Sequence, residues 1–177
     1  WRAIKEDYSL DKYSEELEKI ARGPHYYSEW MIAICAGFAC GGFCVQFGCD
    51  WTAFFYASIA AILGNRLRMW LNKKGSNSYF NIGVAAFVST LIAWLTTFLS
   101  TPIAATHLPE WFATVLHSDT PYHPFMACAL YIVPGVPLIN FVNDMLDNHI
   151  ENGLIRANNN MLMVMAMSFG IALAIKV

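Results

Sequence analysis

The chain has 177 residues, of which 56% are hydrophobic and 14% charged; a soluble domain of this length carries about 25% charged residues. The formal net charge is −2, and no basic patch with interleaved aromatics is present, which excludes nucleic acid as a partner. The charges crowd into the first 29 residues and a few short turns, leaving residues 30–49, 51–65, 75–109, 121–143 and 157–175 without any Asp, Glu, Lys or Arg. Five such runs leave too little polar surface to cover a soluble bundle.

The chain opens at Trp1 rather than Met and reads as a fragment of a longer N-terminal region. Residues 1–29 are expected to form a cytoplasmic amphipathic lead-in. Trp1, Ile4 and Tyr8 space as one helical face, and Tyr13, Leu17 and Ile20 as another. Ser9 is the expected N-cap of the second helix, and Gly23 and Pro24 its end. Glu15, Glu16 and Glu18 argue against attraction to anionic lipid.

Residues 30–177 are expected to form an all-α membrane domain of about five transmembrane helices, each needing roughly 20 residues at 1.5 Å rise. In the first span Gly37, Gly41 and Gly42 predict close helix packing. Cys35, Cys40, Cys44 and Cys49 fall at spacings of 5, 4 and 5, with Cys128 further on. No His or carboxylate accompanies them in that span, so they read as small packing residues rather than metal ligands. Asp50 caps the following turn. The second run is short, but Arg66, Arg68 and Trp70 extend it, because long side chains snorkel to the interface. Asn81 opens the third span. The polar stretch from Ala104 to His123 holds His107, His117 and His123, read as loop histidines, and a short interfacial helix over residues 109–116 with Trp111 and Phe112 at the headgroups. Asn158, Asn159 and Asn160 open the fifth span as helix caps or interhelical bonds.

Lys and Arg set the orientation. Arg2, Lys5, Lys12, Lys19 and Arg22, then Arg66, Arg68, Lys73 and Lys74, then Arg156, all fall on one side; only Lys176 falls on the other. The expectation is N-in and C-out, with an odd number of spans.

The fourth span carries the chemistry. Pro134 and Pro137 cannot donate backbone hydrogen bonds, and Gly135 between them lacks side-chain restraint. The helix is predicted to break over residues 134–137, with a second half-helix beginning near Pro137. Such breaks persist in hydrocarbon only where they are buried in protein or line a wet cavity, and they form substrate sites in secondary transporters. The positive end of the second half-helix, at Val136, Pro137 and Leu138, suits a substrate carboxylate. Beyond it Asn140, Asp144, Asp147 and Glu151 fall at i, i+4, i+7 and i+11, one helical face, with Asn143 beside them and Phe141, Met145 and Ile150 on the other side. An intramembrane carboxylate costs about 2.5–3.5 kcal/mol on insertion scales and is usually functional. Asp144 is the deepest and the first candidate for taking up the coupling proton or the substrate ammonium, with Asp147 the second proton candidate; His149 and Glu151 belong to the interface. No HExxH, paired-Asp or Ser/His pattern predicts an enzyme, and no metal or cofactor is expected.

The segment PGVPLINFVNDMLDNHIENGLIR (residues 134–156) resembles the signature of the threonine/serine exporter family, and SLDKYSEELEKIARGPHYYSEW (residues 9–30) is similar to that family's lead-in. The resemblance implies proton-driven export of small hydrophilic metabolites, with threonine and serine the named substrates and dicarboxylates such as succinate associated with some two-subunit members. It implies roles for Pro134, Gly135, Pro137, Asn140 and Asp144. It also implies a partner, either a second membrane half or a small subunit, in the bacterial inner membrane; a homo-oligomer is compatible too. A five-span half with its ends on opposite faces would pair with an inverted one, the site lying between them. The competing expectation is a non-transporting assembly subunit whose partner carries the whole pathway. Asn158–Asn160 depart from the apolar start expected of the family's fifth span.

Overall fold

A computed structural model describes residues 5, 6, 8–23, 27–100, 109, 110 and 117–176. Trp1, Ile4, Pro24, His107, Trp111 and Phe112, with most of the expected interfacial helix, lie outside them. The described residues form helices and no strand.

Helix α1 (Leu10–Arg22) starts where Ser9 accepts the Lys12 amide, at 3.4 Å, and ends at Gly23. Its apolar residues Tyr13, Leu17 and Ile20 are exposed. Helix α2 (Glu29–Gln46) is capped by Ser28, and α3 (Trp51–Lys73) by Asp50. Helix α4 spans Ser78–Ser100. A short α5 (His123–Ala127) and a 3-10 turn (Leu130–Ile132) lead to α6 (Gly135–Leu146), and α7 (Ile150–Lys176) closes the chain.

Glu29–Gln46, Ser78–Phe98 and Ile150–Lys176 are long and apolar enough to cross a membrane, and the bent pair His123–Ile132 with Gly135–Leu146 would be a fourth crossing if taken as one span. Helix α3 has the length, 23 residues, but its last turns carry Arg66, Arg68 and Lys73. Two of these cations are met by Glu29 at the start of α2. Arg66 Nη1 donates to Glu29 Oε2 at 2.6 Å, and Lys73 forms an ion pair with Oε1. Arg66 also lies over the Trp30 ring, 5.2 Å from its centre.

Successive elements reverse direction. Gly37 faces Ser58 and Ile62 while Gly41 faces Phe54 and Ser58, so α2 and α3 are antiparallel. Gly64 faces Ser89, and Asn72 accepts from Asn81 at 2.7 Å, which sets α3 against α4 in the same way. Thr97 bonds the Pro121 carbonyl and Ser89 lies 2.9 Å from the Tyr131 hydroxyl, so the broken element runs back along α4. Tyr79 bonds Asn159 and Gly83 faces Ala166 and Gly170, so α7 is parallel to α4.

The core is built from small residues. Cys44, Ala53, Ala57 and Ala127 form one buried cluster; Ala60, Ala93, Cys128 and Ala129 another; Ile82, Ala85, Ala86 and Ile132 a third. Small side chains let helix backbones approach closely where hydrophobic burial gives no drive. Cys40, Cys44 and Cys128 are buried here, in keeping with a packing role, while Cys35 is exposed. A Cβ on Gly41 would sit 2.2 Å from Ser58 Oγ, and one on Gly37 2.7 Å from the Ser58 carbonyl, as close packing predicts. Gly42 departs from that prediction. A Cβ there meets nothing within 4 Å, because residue 42 turns away from α3.

Asp50 does more than cap α3. Its Oδ1 accepts from the Ala53 amide at 2.9 Å and the Ser118 hydroxyl at 2.9 Å, and its Oδ2 from the Asp119 amide at 2.8 Å. Its own amide donates to Thr120 Oγ1 at 3.1 Å. The α2–α3 turn is thereby tied to the segment that delivers α5.

Candidate functional site

The break is built by proline chemistry. Pro124 sits in the first turn of α5, where no backbone donor is needed. The chain then tightens, with Ile132 N bonding Ala129 O at 3.0 Å and Val133 N bonding Leu130 O at 3.2 Å. Val133 is extended, ψ 122°, as a residue before proline prefers. Pro134, with φ −79° and ψ 61°, is the centre of an inverse γ-turn closed by Gly135 N to Val133 O at 2.8 Å. The two halves meet at 58°.

Helix α6 therefore begins at Gly135, not near Pro137. Pro137 falls inside its first turn, a position that tolerates the missing N–H. The γ-turn uses the Gly135 amide, Pro137 has none, and Leu138 N bonds Pro134 O at 2.9 Å. Among the described residues this leaves Val136 as the one first-turn amide without a backbone acceptor. Gly135 is not required for space, since a Cβ there would meet nothing within 4 Å.

Tyr131, one turn before the break, is anchored on α4. Its hydroxyl meets Ser89 Oγ at 2.9 Å and the Ala85 carbonyl at 3.5 Å. Gly64 provides the room, because a Cβ there would lie 1.8 Å from Ser89 Oγ and 2.4 Å from the Tyr131 hydroxyl. The first half of the broken element is thus fixed in the core. Beyond the break Pro134 is still buried, but Gly135, Val136, Pro137, Ile139 and Asn140 are exposed and Leu138 is half-buried.

Helix α6 lies along α7. Gly153 permits the approach, with its Cβ position 3.0 Å from Met145 Cγ and 3.4 Å from the Phe141 carbonyl. On the polar side, Asn143 Nδ2 donates to Asp147 Oδ2 at 3.2 Å. Asp144 is half-buried, and its Oδ2 lies 3.0 Å from Arg156 Nη1 on α7. That oxygen is enclosed yet accepts no well-aligned hydrogen bond, so the contact is a one-point ion pair at an oblique angle. A shallow groove of about 480 Å³ runs beside it, lined by Leu138, Ile139, Phe141, Val142, Asn143 and Leu146.

The polar stripe stops earlier than its spacing predicts. Asn148 takes the left-handed conformation, φ 60°, and His149 N bonds Asp144 O at 2.8 Å, a helix-ending arrangement. Asp147 becomes the C-cap, with His149 Nδ1 3.0 Å from its carbonyl oxygen. Glu151 consequently belongs to α7, and so does Arg156. Asn158–Asn160 lie well inside α7 rather than at its start. Asn159 accepts from the Tyr79 hydroxyl at 3.0 Å, and Asn160 is buried with its Nδ2 unpaired.

The pairing of Asp144 with Arg156 had no local signal, because the two lie 12 positions apart across a turn. The Asn148 helix stop had one, the turn-forming run Asp147-Asn148-His149. Of the outer histidines, His117 lies 3.4 Å from Asp119 and His123 opens α5.

The profile of the threonine/serine exporter family matches residues 1–177. The "Probable succinate transporter subunit YjjP" of Escherichia coli (strain K12) is 28% identical over 174 residues, covering 98% of this chain and 62% of that protein. Its namesake from Klebsiella aerogenes is 29% identical over 151 residues, covering 85% of this chain and 53% of its own length. The chain thus spans between 53% and 62% of these curated relatives. No solved structure matches.

Proposed function

The chain belongs to the threonine/serine exporter family, and from that premise we propose that it is a membrane-embedded part of a secondary exporter of small hydrophilic metabolites, either one subunit or the first half of a fused protein. The cargo is a threonine- or serine-type amino acid or a small dicarboxylate; succinate is the substrate in the names of the two relatives. Export is driven by the proton gradient across the bacterial inner membrane. The division into a cytoplasmic lead-in, residues 1–29, and a five-passage membrane domain, residues 30–177, with N-in and C-out, is part of the proposal. A second membrane half or small subunit completes the pathway.

One observation carries the reading: the element broken at Pro134 continues as a helix whose polar side runs through Asn140, Asn143 and Asp144. At membrane depth a broken helix is tolerated where it is buried in protein or lines a wet cavity, and a polar side beyond the break suits the second. In this reading Pro134, Gly135 and Pro137 make the break, Val136 and Leu138 border the mouth, Asn140 and Asn143 bind the polar groups of the substrate, and Asp144 takes the coupling proton, with Asp147 the second candidate. Asp144→Asn is expected to abolish net export of threonine, serine or succinate from cells while leaving membrane insertion intact. Wild-type export by that variant would remove Asp144 from the mechanism.

A second reading rests on the exposed apolar face of α6. Val136, Ile139 and Leu146 are each about 70% exposed or more, a surface that suits docking in an assembly subunit. Reconstituting the partner without this chain separates the two: full transport by the partner alone would establish the assembly role.

A further inference from the structure

The pairing of α6 with α7 places a single cation among carboxylates. Around Asp144 the other titratable groups on these two helices and their turn are Asp147, His149, Glu151 and Arg156, and Tyr79 is the one that α4 brings against α7, bonded to Asn159. The stripe is therefore net negative, and a substrate carboxylate entering it has one fixed positive partner. The α6 N-terminus is a weak competitor, since its first turn offers the Val136 amide alone.

Arg156 is also held in an unfinished way. A guanidinium carries five N–H donors and prefers a two-point fork with a carboxylate. Here Nη1 meets one Asp144 oxygen at 3.0 Å without good alignment, while half of the Arg156 side chain stays exposed. A pair this exposed contributes about 1 kcal/mol or less, so little stability is lost when Arg156 leaves Asp144.

We infer that Arg156 is the carboxylate receptor of the pathway, held by Asp144 when the site is empty and taken over by a carboxylate of the substrate that displaces Asp144. The inference rests on the transport reading above. The Arg156–Asp144 contact breaks as the Arg156–substrate contact forms and re-forms after the substrate has left, so no proton travels with the substrate. No covalent bond to the substrate forms or breaks. Both candidate cargo classes carry a carboxylate, so the receptor serves either.

The test uses the full-length protein with its partner subunit in liposomes at equal pH on both sides, reading exchange of radiolabelled succinate and, separately, threonine. Exchange at equal pH needs no net proton movement, so Asp144→Asn, which removes the group that competes with the substrate for Arg156, is expected to exchange with a KM below that of wild type. Arg156→Gln is expected to raise KM by about tenfold or more, the loss of a charge-assisted hydrogen bond, with Arg156→Lys recovering part of it. The deciding variant is the double one, Asp144→Asn with Arg156→Gln, in which no charge is left unpaired. A KM about tenfold above that of Asp144→Asn alone supports the receptor. A double variant that matches or outperforms Asp144→Asn makes the pair structural and overturns the inference while leaving the transport reading in place. Wild-type protein that exchanges neither compound overturns both.

Discussion

At the scale of single residues, Asp50 is the most heavily bonded carboxylate among the described residues. Burial pushes its carboxyl up, but the donors from Ala53, Ser118, Asp119 and Thr120 outweigh that and hold it below the usual carboxylate value. A carboxylate whose folded pKa is depressed contributes stability that is complete above the unfolded value, about 3.9, and is lost as pH falls through the lower folded one. Melting in detergent is expected to be flat with respect to Asp50 from pH 7 to about 5 and to fall below pH 4, and Asp50→Asn should remove this contribution to the fall. Asp50→Ala, which deletes a cap and orphans several donors, is expected to cost about 2 kcal/mol; an unchanged melting temperature would contradict the cross-link. The cap was legible in the sequence as Asp before an apolar run. The bonds to Ser118, Asp119 and Thr120 were not, because nothing local relates residue 50 to residues nearly seventy positions on.

At the scale of elements, two glycines test the same packing in opposite directions. A Cβ on Gly170 would lie 2.2 Å from the Gly83 carbonyl oxygen, which is backbone and cannot move aside. Gly170→Ala is expected to destabilise by about 1–3 kcal/mol through strain where α4 and α7 cross. Gly42→Ala meets open space and should instead stabilise by up to about 1 kcal/mol through helix propensity. Thermal melting of the two variants side by side checks both signs. Sequence reading grouped Gly42 with Gly37 and Gly41; only the helix phase separates them. The break behaves differently, since proline acts on its own neighbourhood. Pro134 makes the γ-turn and Pro137 keeps the first turn of α6 short of donors, so replacing both with Ala should straighten the element. Spin labels on Phe125 and Val142 should then move apart, and export should fall by at least about tenfold if the bend shapes the pathway. The position of the break was legible from Pro-Gly-Val-Pro, but its start at Gly135, the γ-turn and the helix stop at Asn148 required the backbone.

At the scale of the whole molecule, each passage from α2 to α7 reverses its predecessor, with the bent pair counted as one. The alternation sets the start of α2 and the end of α7 at opposite ends of the bundle. In cells, a periplasm-dependent phosphatase fused after α7 should be active and a fluorescent protein at the same point dark, with the reverse at the N-terminus. The opposite pattern would overturn the orientation. Ten of the eleven basic residues fall on the side proposed to face the cytoplasm, and two of those on α3, Arg66 and Lys73, are met there by Glu29. Helix α6 has few neighbours besides α7 and exposes an apolar face, so a completing half or subunit would find both a polar side and an apolar side to pack against.

The sequence by itself determined the membrane class, the break and the order of polar residues along α6. These follow from composition, from proline and from helical period, each acting over a few residues. Tertiary structure alone decided that Arg156 meets Asp144, that Asp50 holds Ser118 and Thr120, that Glu29 receives Arg66 and Lys73, and that Gly42 is free while Gly170 is not. Each of those depends on which faces of distant helices meet, and in an apolar bundle nearly every face is apolar enough to be buried, so the periodic pattern cannot choose among them.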